Sequence, residues 1–284
     1  MNKEIKMFSY MLGFFLFASV LGYSMGFYFK ISSSNIAVIK LEGEISPYGY
    51  GNANSDDIIE LIKSAETNPN IKAIILAINS PGGSVVTTQE IVDYVKKCSK
   101  PVVAWIRAIG TSGAYWIASS ADKIVASPLS ITGSIGVSAS YLEFSKLFEK
   151  YGITYVNLSY PSQKDILSQY RNITKEEKEY MFHILNTTYW YFVSDVAENR
   201  NMSISYVINN SRNGTILLGL DAYKKGFVDY MGGYDKAIGI ASELGNIDNP
   251  KAEYFEKTVS LFDFLSFAMS FDRVFGLEKV ELKT

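Results

Sequence analysis

The run IKAIILAIN, residues 71–79, is apolar in both alternating registers of a strand, so such a segment has to be covered on its two faces. Sheets of that kind are parallel, and the chain returns between their strands through crossover helices. The flanking sequence supplies those helices. IAVIKLEGEI, residues 36–45, reads as a first buried strand. SDDIIELIKSAETNPN then carries Ile58, Ile59, Leu61 and Ile62 at helical spacing, with Ser55 as the capping residue and an Asn/Pro stop. After residue 79, SVVTTQEIVDYVKKC reads as a helix and PVVAWI as a third strand. DKIVASPLSITGSIGV predicts a strand and a glycine-punctuated loop. TYVNLSYPSQKDILSQYRNITKEEKEYM predicts a strand, a polar loop and a long helix starting near Thr174, whose spacing to Glu177 is that of a capping box.

The first residues obey a different rule. Residues 7–29, MFSYMLGFFLFASVLGYSMGFYF, hold no charge and would extend about 34 Å as a helix, enough to cross a bilayer. Lys3 and Lys6 precede the run, which orients a short tail towards the cytoplasm and the rest of the chain outward, although Lys30 weakens the asymmetry. A cleaved signal peptide is the competing reading, with Gly22 and Ser24 as small residues for cleavage. The run exceeds a signal h-region and continues through aromatic residues, which favours an uncleaved anchor. The expected organisation is a tail at 1–6, a transmembrane anchor at 7–29, a linker at 30–35, one catalytic or binding domain at 36–245 and an apolar extension at 246–284. Within that extension, TVSLFDFLSFAMSFDRVFGL is interrupted by Asp263, Asp272 and Arg273, too polar for a second span. A helix lying on the membrane or on another subunit and a helix covering the core both fit it.

Net charge is -2, so no global basic field favours nucleic acid as a partner. A single cysteine, Cys98, excludes an intrachain disulfide, and with a single histidine, His183, no Cys/His zinc cluster can form. Any histidine-based catalysis would depend on His183, which sits mid-helix between Phe182 and Ile184 and reads as a core or interface residue.

Two strand-to-helix junctions carry the chemistry available. In open α/β sheets, sites form outside the carboxyl ends of strands, where NSPGGSV (79–85) and AIGTSGAYW (108–116) would both lie. Ser112 in the second has two readings: a helix cap worth about 1 kcal/mol, or a nucleophile exposed on a tight turn with small Gly110, Gly113 and Ala114 letting a substrate approach. Gly82 and Gly83 in the first make either a plain Pro-Gly turn or a nest of backbone N–H groups for an oxyanion. A serine also needs a base. A lysine at its reference pKa of about 10.4 is neutral in about one molecule in a thousand near pH 7.4, so a lysine base must be desolvated. Most lysines here sit in solvent-facing runs; Lys164, in a loop and followed by Asp165, Ile166 and Leu167, is the exception, with an ordinary surface lysine as the alternative.

The ordered set NSPGG, TSGAYWIASSADKIVASP, TGSIGV, QKDILS…RNITKEE and GLDAYKKGFVDYMGG resembles signal peptide peptidase A in its short bacterial form, over about residues 36–241. The resemblance implies an α/β crotonase-like (Clp protease-like) fold, a twisted sheet with ββα units, preceded by one transmembrane helix. It implies a membrane-anchored serine endopeptidase in the cytoplasmic membrane with its catalytic domain extracytoplasmic, degrading remnant signal peptides without metal or cofactor. Its assignments fall on Ser112 as nucleophile, Lys164 as general base and Ser134 as the hydroxyl orienting that lysine. The oxyanion hole falls on Gly83 with Gly82 adjacent, and on Gly113. Family members assemble as homo-oligomers in which serine and lysine come from neighbouring protomers. Thr111 and the Gly219-Leu220 pair depart from the family's usual residues, which bears on local packing or substrate preference. Two other functions remain open at this stage: a related membrane Ser/Lys protease acting on membrane proteins, and a non-catalytic crotonase-like oligomer that binds peptides.

Overall fold

A computed structural model of the chain describes residues 34–47, 53–211 and 213–256. The expected anchor at 7–29 and the apolar segment at 258–277 lie outside the described residues. Among the described residues, no helix is long and apolar enough to cross a membrane.

The elements follow in the order β1 (Ile36–Glu42), α1 (Ser55–Thr67), β2 (Ala73–Ser80), α2 (Val85–Lys97), β3 (Val102–Thr111), α3 (Gly113–Ser119), β4 (Lys123–Ala126), β5 (Ile131–Gly133), α4 (Ser145–Lys150), a 3-10 turn (Ser162–Asp165), α5 (Lys175–Asn199), α6 (Ile204–Asn210), β6 (Ile216–Leu218), α7 (Gly219–Lys224), β7 (Tyr230–Met231), α8 (Tyr234–Leu244) and β8 (Ala252–Phe255). The strands form an eight-stranded sheet in the order β6-β5-β3-β2-β1-β8, with β4 joined to β3 and β7. Every pairing is parallel except β5 with β6. β8 pairs with β1 in register Ile36↔Ala252, so the sheet takes in residues beyond 245, within the segment read from sequence as an extension.

Alternate residues of β2 face different cores, as a strand apolar in both registers requires. Ile74, Leu76 and Ile78 join Ile91, Val92, Tyr115 and Val193 under the helices of one layer. Ala73, Ile75 and Ala77 meet Ala237, Ile240 and Ala241 of α8 on the opposite face. The pairing of β2 with β3 runs Ile78↔Ile106 and then Ser80↔Gly110, a bulge that inserts extra residues into β3 just before its end. Beyond the bulge, β3 changes neighbours: Val103 to Ile106 pair with β4, and Ile109 to Thr111 with β5.

Three expectations are corrected. α1 is capped by Asn54, whose side chain accepts from the Asp56 N–H at 2.8 Å; Ser55 lies inside the helix and donates to Glu90. Residues 154–158 form no strand, because no described strand runs beside them and they stand exposed. His183 is exposed on α5 and not a core residue. The expected start of α5 is present: the Thr174 hydroxyl accepts from the Glu177 N–H, and the Glu177 carboxylate accepts from the Thr174 N–H at 2.9 Å.

Glu177 is 3% exposed, and Arg171 binds it and Asp165 together. The guanidinium is the main cause holding both carboxyls below their ordinary values of 4.5 and 3.8. Carboxyls lowered in the folded state add stability that is fully present above those ordinary values and is lost as pH falls through the lowered ones. Urea midpoints measured from neutral pH down to about pH 3 should therefore fall more steeply for the wild type than for Glu177→Gln. Parallel curves would show that the cluster adds nothing pH-dependent.

Candidate active site

The parallel pairing of β2 and β3 brings their carboxyl ends side by side, so the two junctions singled out in the sequence meet. Thr111 ties them: its hydroxyl donates to the Pro81 carbonyl at 3.0 Å. The backbone of Ile45 holds the Gly82–Gly83 turn from the other side. Ile45 N–H donates to the Gly82 carbonyl at 2.8 Å, and Ser84 N–H to the Ile45 carbonyl at 2.7 Å.

In such a bridge the residue between the two bonded groups turns its own N–H and C=O away from the partner. Gly83 therefore turns its N–H away from Ile45. A Cβ on Gly83 would lie 2.0 Å from the Ile45 carbonyl oxygen, so no other residue fits. One on Gly82 would lie 2.8 Å from both the Ser112 Cβ and the Gly113 nitrogen. The turn thus presses directly against Ser112. The three glycines are not equivalent, however. The Gly82 N–H is engaged by the Ser80 hydroxyl at 3.2 Å, whereas among the described residues the N–H groups of Gly83 and Gly113 have no protein acceptor. Gly82 serves as the close-contact residue, and the two free donors are those of Gly83 and Gly113.

Ser112 precedes α3 with φ 55° and ψ -126° and makes no side-chain cap bond. This conformation is costly for a residue with a Cβ, typically about 1–3 kcal/mol. Its own N–H donates to the Gly133 carbonyl at 2.9 Å, which fastens the strained residue to β5. Ser134 follows Gly133, also at positive φ, and its N–H donates to Thr215. Both serines, with Gly82, Gly83 and Gly113, line one cleft of about 520 Å³. The cleft also has walls that sequence reasoning did not single out: Val85, Trp116, Val137 and Phe192, with Glu44 at its side. Trp116 stacks on Phe192 with ring centres 4.8 Å apart, and its indole N–H donates to Asp195, itself paired with Lys96. Trp116 lay inside the quoted TSGAYW motif; Phe192 comes from the aromatic run of α5, which sequence periodicity cannot distinguish from packing.

Lys164 is not part of this cleft. It sits on the exposed 3-10 turn, and among the described residues its ammonium has no hydrogen bond or ion pair. The structure thus joins Ser112, Ser134 and the three glycines in one cleft and places Lys164 outside it. Among the described residues no cluster of His, Cys, Asp and Glu could hold a metal ion.

Comparison with known proteins now bears on this geometry. The sequence profile of peptidase family S49 matches residues 95–248, more than half of the chain. The chain belongs to peptidase family S49, a family of serine peptidases. The Clp protease profile matches residues 37–130, covering β1 to β4 and both junctions. A Methanocaldococcus jannaschii protein classed by name among the proteases is 36% identical over 233 residues, spanning 78% of this chain and 74% of that one. Protease 4 of Haemophilus influenzae is 31% identical over 218 residues; the match covers 75% of this chain but only 35% of that protein. Among solved structures, a lysine-to-alanine variant of the 1510-N membrane-bound stomatin-specific protease, in complex with a substrate peptide, superposes with a TM-score of 0.53. That match covers 84% of this S49 chain and 99% of the other at 17% identity, and together with the Clp protease profile it shows a mixed α/β, Clp protease-like fold.

The two readings of Ser112 in this S49 peptidase differ in stability. Ser112→Gly should raise the unfolding free energy by about 1 kcal/mol by releasing backbone strain, and Ser112→Ala should leave it unchanged because no cap bond is lost. Urea denaturation measures both. A loss of about 1 kcal/mol in Ser112→Ala would instead identify the hydroxyl as a cap.

Proposed function

We propose that the protein is a membrane-anchored endopeptidase in which Ser112 is the nucleophile and Lys164, supplied by a neighbouring copy, is the general base. The observation that carries this reading is the state of Ser112: a strained serine whose hydroxyl has no partner among the described residues, in one cleft with the free N–H donors of Gly83 and Gly113. A serine hydroxyl attacks a peptide carbonyl only if its proton is taken. In the proposed cycle Lys164 takes the Ser112 proton as Oγ bonds to the carbonyl carbon, and the N–H groups of Gly83 and Gly113 hold the oxyanion. A donor of that kind is typically worth about 10²- to 10³-fold in rate. The lysine then passes the proton to the departing amine, and water, deprotonated by the same lysine, hydrolyses the ester on Ser112. Ser134 orients the lysine, and Gly82 gives the turn its close approach.

A neighbouring copy as the source of the base is supported by the cleft lining, which among the described residues includes no lysine. The segment bearing Lys164 has the character of an unfilled interface: Leu158 and Tyr160 are 94% and 97% exposed, with Leu142, Tyr151 and Val156 exposed beside them. Homo-oligomerisation would cover these side chains while delivering Lys164 to a neighbour's Ser112. The apolar walls Val85, Trp116, Val137 and Phe192 suit apolar substrate side chains, and the charge-free run at 7–29 would hold the cleft near a membrane. Signal-peptide remnants in the cytoplasmic membrane are therefore the proposed substrates, with the catalytic domain, spanning 36 to at least 245, on the outer side. A second reading, cleavage of membrane proteins, draws on the fold's likeness to a protease named as stomatin-specific.

With a fluorogenic signal-peptide-like substrate, Ser112→Ala and Lys164→Ala should each lose turnover by several orders of magnitude. Mixing the two inactive proteins during assembly should restore part of it, because some sites then receive both intact residues. Full activity in either variant would refute its assigned role, and inactive mixtures would refute sharing between copies.

A further inference from the structure

The proposed base stands on a turn with little support of its own. Residues 153–158 before it are irregular and exposed, and Lys164 projects from the 3-10 turn into solvent. The turn is closed locally by Lys164 N–H to the Pro161 carbonyl at 3.0 Å and Ile166 N–H to the Gln163 carbonyl at 3.2 Å. Leu167 follows at φ 64°, a left-handed conformation that a branched side chain keeps only when its surroundings enforce it. These local bonds shape the turn but do not connect it to the body of the protein.

Asp165, the next residue after Lys164, makes that connection. Arg171 donates from Nε to Asp165 Oδ2 at 2.9 Å and from Nη2 to Asp165 Oδ1 at 2.8 Å, a two-point contact that fixes direction as well as distance. The same guanidinium donates from Nη1 to Glu177 Oε2 at 2.9 Å and from Nη2 to Glu177 Oε1, and Nη1 also reaches the Asn172 carbonyl at 3.1 Å. Glu177 is buried and committed to the capping box of α5. One side chain therefore ties the lysine's turn to the first turn of a helix whose far end builds the cleft wall through Phe192. Only a guanidinium offers enough planar donors to grip two carboxylates in this way.

We propose that Arg171 is a positioning residue for catalysis: by bridging Asp165 and Glu177 it fixes the turn that presents Lys164 onto the start of α5. This inference rests on the reading of Lys164 as the general base. Arg171 need not touch substrate. Its effect is geometric, since a base displaced by about 1 Å can cost about 10²-fold in rate.

The test uses the full chain and a soluble peptide substrate. Asp165→Asn keeps the Arg171–Glu177 contact and the capping box, so it should fold and assemble normally. It should lower kcat about 10- to 10²-fold with KM unchanged. Arg171→Ala should show the same split, and free guanidinium at millimolar concentration, far below denaturing levels, should restore part of its kcat. The same addition should leave Lys164→Ala inactive. Wild-type kcat in Asp165→Asn and Arg171→Ala, or a loss in Arg171→Ala that guanidinium does not relieve, would overturn the positioning role. Activity retained in Lys164→Ala would instead remove the reading on which it rests.

Discussion

Everything at the site depends on the parallel pairing of β2 with β3. Parallel strands end at the same edge of a sheet, so the loops leaving Ser80 and Thr111 are neighbours before any side chain is considered. The bulge after Ile78 and Ile106 then lengthens β3 so that its last residues exchange β4 for β5. Had β3 run on in its original register, Ser112 would not reach the Gly133 carbonyl, and the two serine-bearing turns would part. The buried apolar surface of β2 enforces the pairing: with cores on both faces, a one-residue slip would exchange the sets packed against α8 and against α1 to α3.

On that frame the site is assembled from backbone more than from side chains. The Ile45 bridge spends the Gly82 carbonyl and the Ser84 N–H, which turns the Gly83 N–H outward. The Ser80 hydroxyl occupies the Gly82 N–H. Ser112 is left strained, unbonded at its hydroxyl among the described residues, and in one cleft with both remaining donors. A conformation costing about 1–3 kcal/mol survives only where its surroundings over-determine it, and here β5, the Gly82 contact and the start of α3 all do so. The arrangement trades local stability for a half-buried serine on the cleft.

Much of this was legible in the sequence because it follows from short-range rules. The doubly apolar strand, the crossover helices, the Thr174–Glu177 box and the location of both junctions are all periodicity or capping signals. The rest depended on contacts between distant residues. Asn54 and Ser55 are equally good caps on paper, and only the neighbouring Glu90, which engages Ser55, separates them. Residues 154–158 carry strand-like β-branched and aromatic residues, yet a strand needs a partner edge, and this segment has none among the described residues. Gly82 and Gly83 look interchangeable until Ile45 and Ser80 divide their roles. Lys164 stands outside the cleft on an exposed segment, and no periodicity or capping rule places such a segment. The grip of Arg171 on Asp165 and Glu177 was equally invisible, since arginine after a polar loop has no pattern of its own.

The most direct test of the central claim is intact-mass and peptide mapping of the protein after reaction with a serine-directed fluorophosphonate. The account predicts one adduct per chain, on Ser112, formed by the wild type and not by Lys164→Ala, because an unactivated hydroxyl does not react. Labelling at another residue, or equal labelling of Ser112 with and without Lys164, would contradict it.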